Sequence, residues 1–272
     1  MMDRITNYYF QFAEHRALRF MPRIIYGFLF VLWLTTLPYS GLMWGGDNVL
    51  FRFGQADSLI ENTLLRLYYQ PELFPWIYYT HPLFLLLSLR NSGNSWLPRT
   101  LGWITGLMLY AAAENLFGIG VILLMQTAFL LIPVHYESNS NVRIWLNSLC
   151  MLALRIQTIL ILTIIALFVW GASQWKDGDA LYYWLHQAYQ FRLIAGETAR
   201  EATGVLHALS LVGLGLFTLM PFTLLLRPSR FYSTLVLLVI GTLSVLFLTN
   251  MATGFAIISL ALPWIDARER YD

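Results

Sequence analysis

Six apolar segments, at about residues 23–44, 73–89, 100–134, 144–173, 203–226 and 231–263, set the terms on which this chain can fold. A helix needs about 20 such residues to cross the roughly 30 Å of hydrocarbon in a bilayer. Lipid offers a backbone amide no hydrogen-bond partner, so segments of this kind cross as helices. Composition agrees: 58% of the residues are hydrophobic and 12% charged, where a soluble domain carries roughly 25% charged. The aromatic share of 16% suits rings placed at membrane interfaces. The expected fold is all-α, a polytopic transmembrane helix bundle of six to eight spans forming a single integral membrane domain over residues 1–272.

Two segments leave the span count open. The stretch 100–134 is too long for one straight crossing and carries Glu114-Asn115 at its middle; 231–263 poses the same question around Thr249-Asn250. With both split, Arg4, Arg16, Arg19, Arg23, Arg90, Arg99, Arg143, Arg227, Arg230, Arg268 and Arg270 fall on the inner face, eleven basic residues against five outside. With neither split the tally is again eleven to five, so the positive-inside rule does not choose between them. The split reading is preferred because it keeps Glu114 away from the bilayer centre. It puts loops 45–72 and 174–202 outside and 90–99, 135–143 and 227–230 inside. Both termini are then cytoplasmic, with a bacterial inner membrane as the expected location. Residues 1–22 carry Asp3, Arg4, Glu14, Arg16 and Arg19, unlike a cleavable signal. They are expected to form an interfacial helix that feeds the first span.

Several function classes are excluded. A net charge of +2 without a basic, aromatic-interleaved patch gives no footing for nucleic acid. Cys150, alone, permits no internal disulfide and no cysteine-based metal site, and is expected to pack inside a helix. The five histidines show no metal-ligand spacing, so no metal is expected. Lys176 is the only lysine beside sixteen arginines, which removes most candidates for a lysine base.

The most distinctive stretch runs from Leu154 to Arg192. It sets Arg155 and Gln157 inside an apolar helix, leaves through Gly171-Ala172, Trp175 and Gly178, and enters the aromatic run Ala180-Leu-Tyr-Tyr183. This pattern, with Arg23-Ile-Ile-Tyr-Gly27 at the first span, resembles the HTTM family, the membrane domain shared with vitamin K-dependent gamma-carboxylases. The resemblance covers about 144–192, and more loosely 16–40. It implies a helical membrane fold that handles a quinone derivative. Where carboxylases of that family carry a lysine before the tryptophan, this chain has Ser173-Gln174; Lys176 follows the tryptophan, and no large lumenal substrate domain is expected. The resemblance therefore does not extend to gamma-carboxylation.

Charge inside a span is costly and marks a site or an internal pair. Arg155 is either an anchor for an anionic or carbonyl-bearing headgroup, or half of an ion pair with Glu114. Gln157 points about 200° away from Arg155 and suits an interhelical hydrogen bond. Glu114-Asn115 is a proton-relay carboxylate or a solvated turn. His81 precedes Pro82, which frees a backbone carbonyl; the imidazole either satisfies that local defect or meets a quinone carbonyl or a proton. Trp175, Tyr182 and Tyr183 belong to an outer loop that either lies in the interface or docks a partner. The small residues Gly204, Ala208, Gly213 and Gly215 suit close helix packing.

The leading expectation is a subunit of a membrane complex. Its bundle would hold a hydrophobic ligand, a quinone or a lipid, using Arg155, Gln157, His81, Trp175, Tyr182 and Tyr183. Partners would be the lipid bilayer and other membrane or outer-face protein subunits, but no nucleic acid. The alternative is a membrane enzyme modifying a secreted peptide or lipid, with Glu114, His81 and His186 as candidate catalytic groups.

Overall fold

The computed structural model describes residues 16–40, 73–90, 96–112, 114–134, 141–181, 203–247 and 251–267. Among these the structure is helical, broken only by turns. The helices are α1 (Arg16–Thr36), α2 (Leu73–Leu89), α3 (Trp96–Ala112), α4 (Glu114–Leu130), α5 (Asn141–Gly171), α6 (Thr203–Leu225), α7 (Arg227–Phe247) and α8 (Met251–Ala261). Short 3₁₀ turns follow α1 at Leu37–Tyr39 and α8 at Leu262–Ala267, and a single helical turn covers Ser173–Lys176. Four helical stretches, Ala17–Thr36, Val142–Gly171, Thr203–Leu225 and Pro228–Val245, are long and apolar enough to cross a membrane.

The apolar segments and the helices coincide closely. Both long segments divide as expected: 100–134 becomes α3 and α4, and 231–263 becomes α7 and α8, each pair packed on one another. The first helix differs from expectation. Arg16–Met21, assigned by sequence to an interfacial helix, continue into the span through Pro22 as one helix. Pro22 is the seventh residue of this helix, so its missing N–H leaves the Leu18 carbonyl without its helical partner, yet the helix continues. The stretch Gly45-Gly-Asp-Asn48, which reads as a turn from sequence, lies outside the described residues.

The chain forms two compact units, residues 1–151 and 152–272, with α5 running across the boundary. In the first unit α1 packs on α2, α2 on α3, α3 on α4, and α4 returns to α1, closing a four-helix bundle. Its centre holds Ile25, Tyr26, Leu29, Tyr78, Leu85, Leu124 and Leu131, all essentially without solvent exposure. In the second unit α6, α7 and α8 form consecutive hairpins. Leu162 of α5 joins Met220, Leu224, Leu237, Ala261 and Trp264 in one apolar cluster. The outward faces are apolar too: Leu167 and Phe168 are 69% and 74% exposed. Such faces are a liability in water and the expected boundary in lipid.

The α7–α8 hairpin is unusually close. A Cβ placed on Gly241 would lie 3.0 Å from the Gly254 carbonyl oxygen, and one on Gly254 would lie 2.9 Å from that of Gly241. Without a hydrophobic force between helices in lipid, backbone contact of this kind is what small residues supply.

Candidate functional site

The polar groups of the first unit are best followed from Pro82. Proline has no N–H, so the carbonyl of Tyr78, four residues earlier in α2, loses its helical partner. Trp33 of α1 replaces it, donating from Nε1 at 3.1 Å. The Tyr78 hydroxyl meets Thr36 Oγ1 at 2.7 Å. The backbone defect is thus satisfied from the neighbouring helix, not by His81, the local donor expected from sequence.

His81 turns toward α3 instead. It is fully buried, its Nδ1 lies 2.8 Å from Thr105 Oγ1, and the Tyr110 ring stands edge-on with centroids 5.7 Å apart. Thr105 Oγ1 also lies 2.7 Å from the Leu101 carbonyl, and its hydroxyl can donate to or accept from His81 Nδ1 according to the tautomer. The other ring nitrogen, Nε2, is enclosed. That atom has no hydrogen-bond partner among the described residues. Beside it, a Cβ built on Gly106 would fall 2.8 Å from the Met125 methyl and 3.2 Å from His81 Cε1. Imidazole edge and thioether converge on the space that glycine leaves.

The same bundle contains an arginine that sequence reading placed on the inner loop. Arg99, in the first turn of α3, is wholly buried. Its Nη1 donates to the carbonyls of Leu131, at 3.3 Å, and Val134. These groups follow the last turn of α4, where carbonyls lack helical donors and the helix dipole favours a cation. The Tyr26 hydroxyl shares its proton between the carbonyls of Ala128 at 3.2 Å and Arg99 at 3.4 Å.

The second unit repeats the device. Pro228 leaves the Leu224 carbonyl at the end of α6 without its N–H, and Arg230 Nε donates there at 3.0 Å. Arg155 Nε donates to the Pro263 carbonyl at 3.1 Å. Both guanidiniums lie against the Trp264 ring, 5.5 Å from its centroid for Arg155 and 5.4 Å for Arg230. Gln157 is half-buried on α5.

The exit segment after α5 docks on α6. Trp175 meets α6 at Gly213, where an added Cβ would come within 3.0 Å of the indole, and stands edge-on to Phe217 at 5.9 Å. Gly178 has φ +80°, a conformation that favours glycine, and the His207 ring fills the place a Cβ would take. One residue beyond Ala180, Leu181 N donates to Ser210 Oγ at 3.0 Å. Of the expected small-residue series, Gly213 is used in this way. Gly204 and Gly215 face open space.

The structure thus gathers His81 with Thr105, Tyr110 and Met125, and Arg155 with Arg230 and Trp264. It gives Trp175 a packing contact. Tyr182, Tyr183 and His186 lie outside the described residues, as does the side chain of Glu114 at the start of α4. Among the described residues no group of three or more His, Cys, Asp or Glu side chains is placed to hold a metal ion. Cys150 is buried within α5.

No protein-family model, no curated protein and no solved structure matches the chain.

Proposed function

We propose that this chain is a subunit of a membrane complex, crossing a bacterial inner membrane six to eight times with both termini cytoplasmic. In this reading the bundle of α1–α4 holds a hydrophobic ligand, and the aromatic loop 174–202 docks a partner protein on the outer face. The ligand is a quinone-class or lipid molecule, in keeping with the likeness of residues 144–192 to HTTM proteins.

One observation carries the ligand reading: the buried His81 Nε2, which no described residue satisfies. The large majority of buried side-chain polar atoms are hydrogen-bonded, so a buried ring nitrogen left unsatisfied calls for a partner. Nε2 suits a ligand hydroxyl, as in a quinol or a lipid alcohol, in one tautomer, and the carbonyl of a quinone in the other. Met125 supports the same reading, because an unbranched thioether can move to admit a ring.

The test is retention of ligand through mild detergent extraction, measured for His81→Ala and Gly106→Ala. Loss of one hydrogen bond to a buried group lowers affinity about tenfold, so the first variant should retain roughly a tenth of the ligand. Gly106→Ala should act similarly by filling the space beside the ring. Unchanged retention in both, with folding intact, would remove His81 from the account.

A further inference from the structure

In the first unit the charges are sorted to the two ends of the bundle, an arrangement that the His81 reading does not use. Side-chain contacts bring the start of α1, the end of α2, the start of α3 and the end of α4 together. A Cβ on Gly27 would lie 4.0 Å from Leu89 Cδ2. The Tyr26 hydroxyl reaches the carbonyls of Arg99 and Ala128, and Arg99 Nη1 reaches that of Leu131. The arginines of α1 and α3, Arg16, Arg19, Arg23 and Arg99, lie toward this end, as does Arg90 just after α2. Neither α2 nor α4 contains an arginine or lysine. The one acidic residue within α1–α4, Glu114, begins α4 at the opposite end.

We propose that this basic end is a headgroup-level surface for anionic phospholipid. Arg23 and Arg90 are exposed and form no ion pair among the described residues. A guanidinium near an anionic membrane surface is attracted by its potential, and the attractions of separate residues add without any one phosphate having to meet them all. The long apolar stem of each arginine lies along the helix while the charged head extends to the headgroups.

The setting selects a lipid over an acidic protein. Phe20, one turn from Arg23, and Leu86 and Leu87, one turn before Arg90, are each about half exposed, as are Trp96 and Leu97 at the start of α3. Acyl chains cover such side chains while the headgroups meet the arginines a turn away, whereas an acidic protein surface would leave apolar groups facing charge. Tryptophan at this level is in keeping with a membrane interface. The surface is independent of any ligand at His81.

The experiment places the full chain in phosphatidylcholine vesicles with a trace of spin-labelled phosphatidylglycerol or, separately, spin-labelled phosphatidylcholine. Electron paramagnetic resonance reads the fraction of label immobilised at the protein. The wild type should immobilise phosphatidylglycerol in preference. Arg23→Gln with Arg90→Gln should lower that preference roughly two- to fivefold. Arg23→Lys with Arg90→Lys keeps the charge and should retain it, and Lys176→Gln, outside the first unit, should leave it unchanged. The preference should also collapse between about 0.1 and 1 M salt, as the screening length falls from ~10 to ~3 Å. Equal immobilisation of the two lipids by the wild type would overturn the proposal. So would a preference that survives the folded double Gln variant, or one that falls as far in Lys176→Gln. Should the double Gln variant not fold, the wild type decides: a preference that persists in about 1 M salt overturns the proposal, and one that collapses supports it.

Discussion

At the scale of single residues, the organising theme is the supply of donors to carbonyls that helices leave without partners. Arg99, Arg155 and Arg230 each donate to a backbone carbonyl at or beyond a helix end. In hydrocarbon such a carbonyl has no water to turn to. Arg99→Met should therefore lower unfolding stability by about 3 kcal/mol, from two buried acceptors losing their donor. Arg99→Lys should recover part of that loss, having the charge without the planar fork; denaturant unfolding in detergent measures both. The Trp33–Tyr78 bond permits a sharper test. Trp33→Phe leaves the Tyr78 carbonyl bare and should cost about 1–3 kcal/mol. Pro82→Ala restores the missing N–H, so the double variant should be more stable than the sum of the two single losses predicts. Strict additivity would show that Trp33 does not stand in for the missing amide. The prolines made two of these bare carbonyls legible in the sequence. Which side chain would reach them was not legible, because Trp33 lies 45 residues from Tyr78 and only the packed bundle brings them together.

At the scale of elements, hydropathy located the helices well because length and apolarity decide what can cross a bilayer. Glu114, at the start of α4, marked one break because a charged side chain is tolerated at a turn far more readily than inside a span. Charged residues at Arg16–Met21 suit an interface, yet do not end the helix, which continues through Pro22. Glycines were less legible, since hydropathy cannot tell one that touches a neighbour from one that faces open space. Gly241 and Gly254 touch backbone on the partner helix. Gly254→Ala, with Val245 N at 2.8 Å from the new Cβ, must force the α7–α8 hairpin apart and should cost about 1–3 kcal/mol. Gly215→Ala meets nothing within 4 Å and should be neutral or slightly stabilising through helix propensity. Equal effects on thermal unfolding would contradict the close packing of that hairpin. Gly178→Ala combines a strained φ of +80° with the His207 ring and should loosen the exit segment from α6, read as faster proteolysis after Trp175.

At the scale of the whole molecule, the sequence announced a membrane helix bundle and much less about its task. The residues that drew attention by charge or by neighbouring proline, Arg155 and His81, do lie in the two clusters the structure assembles. Their companions, Thr105, Met125, Arg230 and Trp264, are unremarkable in sequence, because a threonine or methionine in a span carries no signal until its neighbour is known. The account as a whole rests on the bundle being a container for a hydrophobic ligand within a larger assembly. Native mass spectrometry of the protein, released gently from its own membrane, tests that most directly. The expected result is a stoichiometric hydrophobic molecule of the quinone or lipid class, with at least one additional polypeptide. A bare chain carrying only loosely held phospholipid would contradict it.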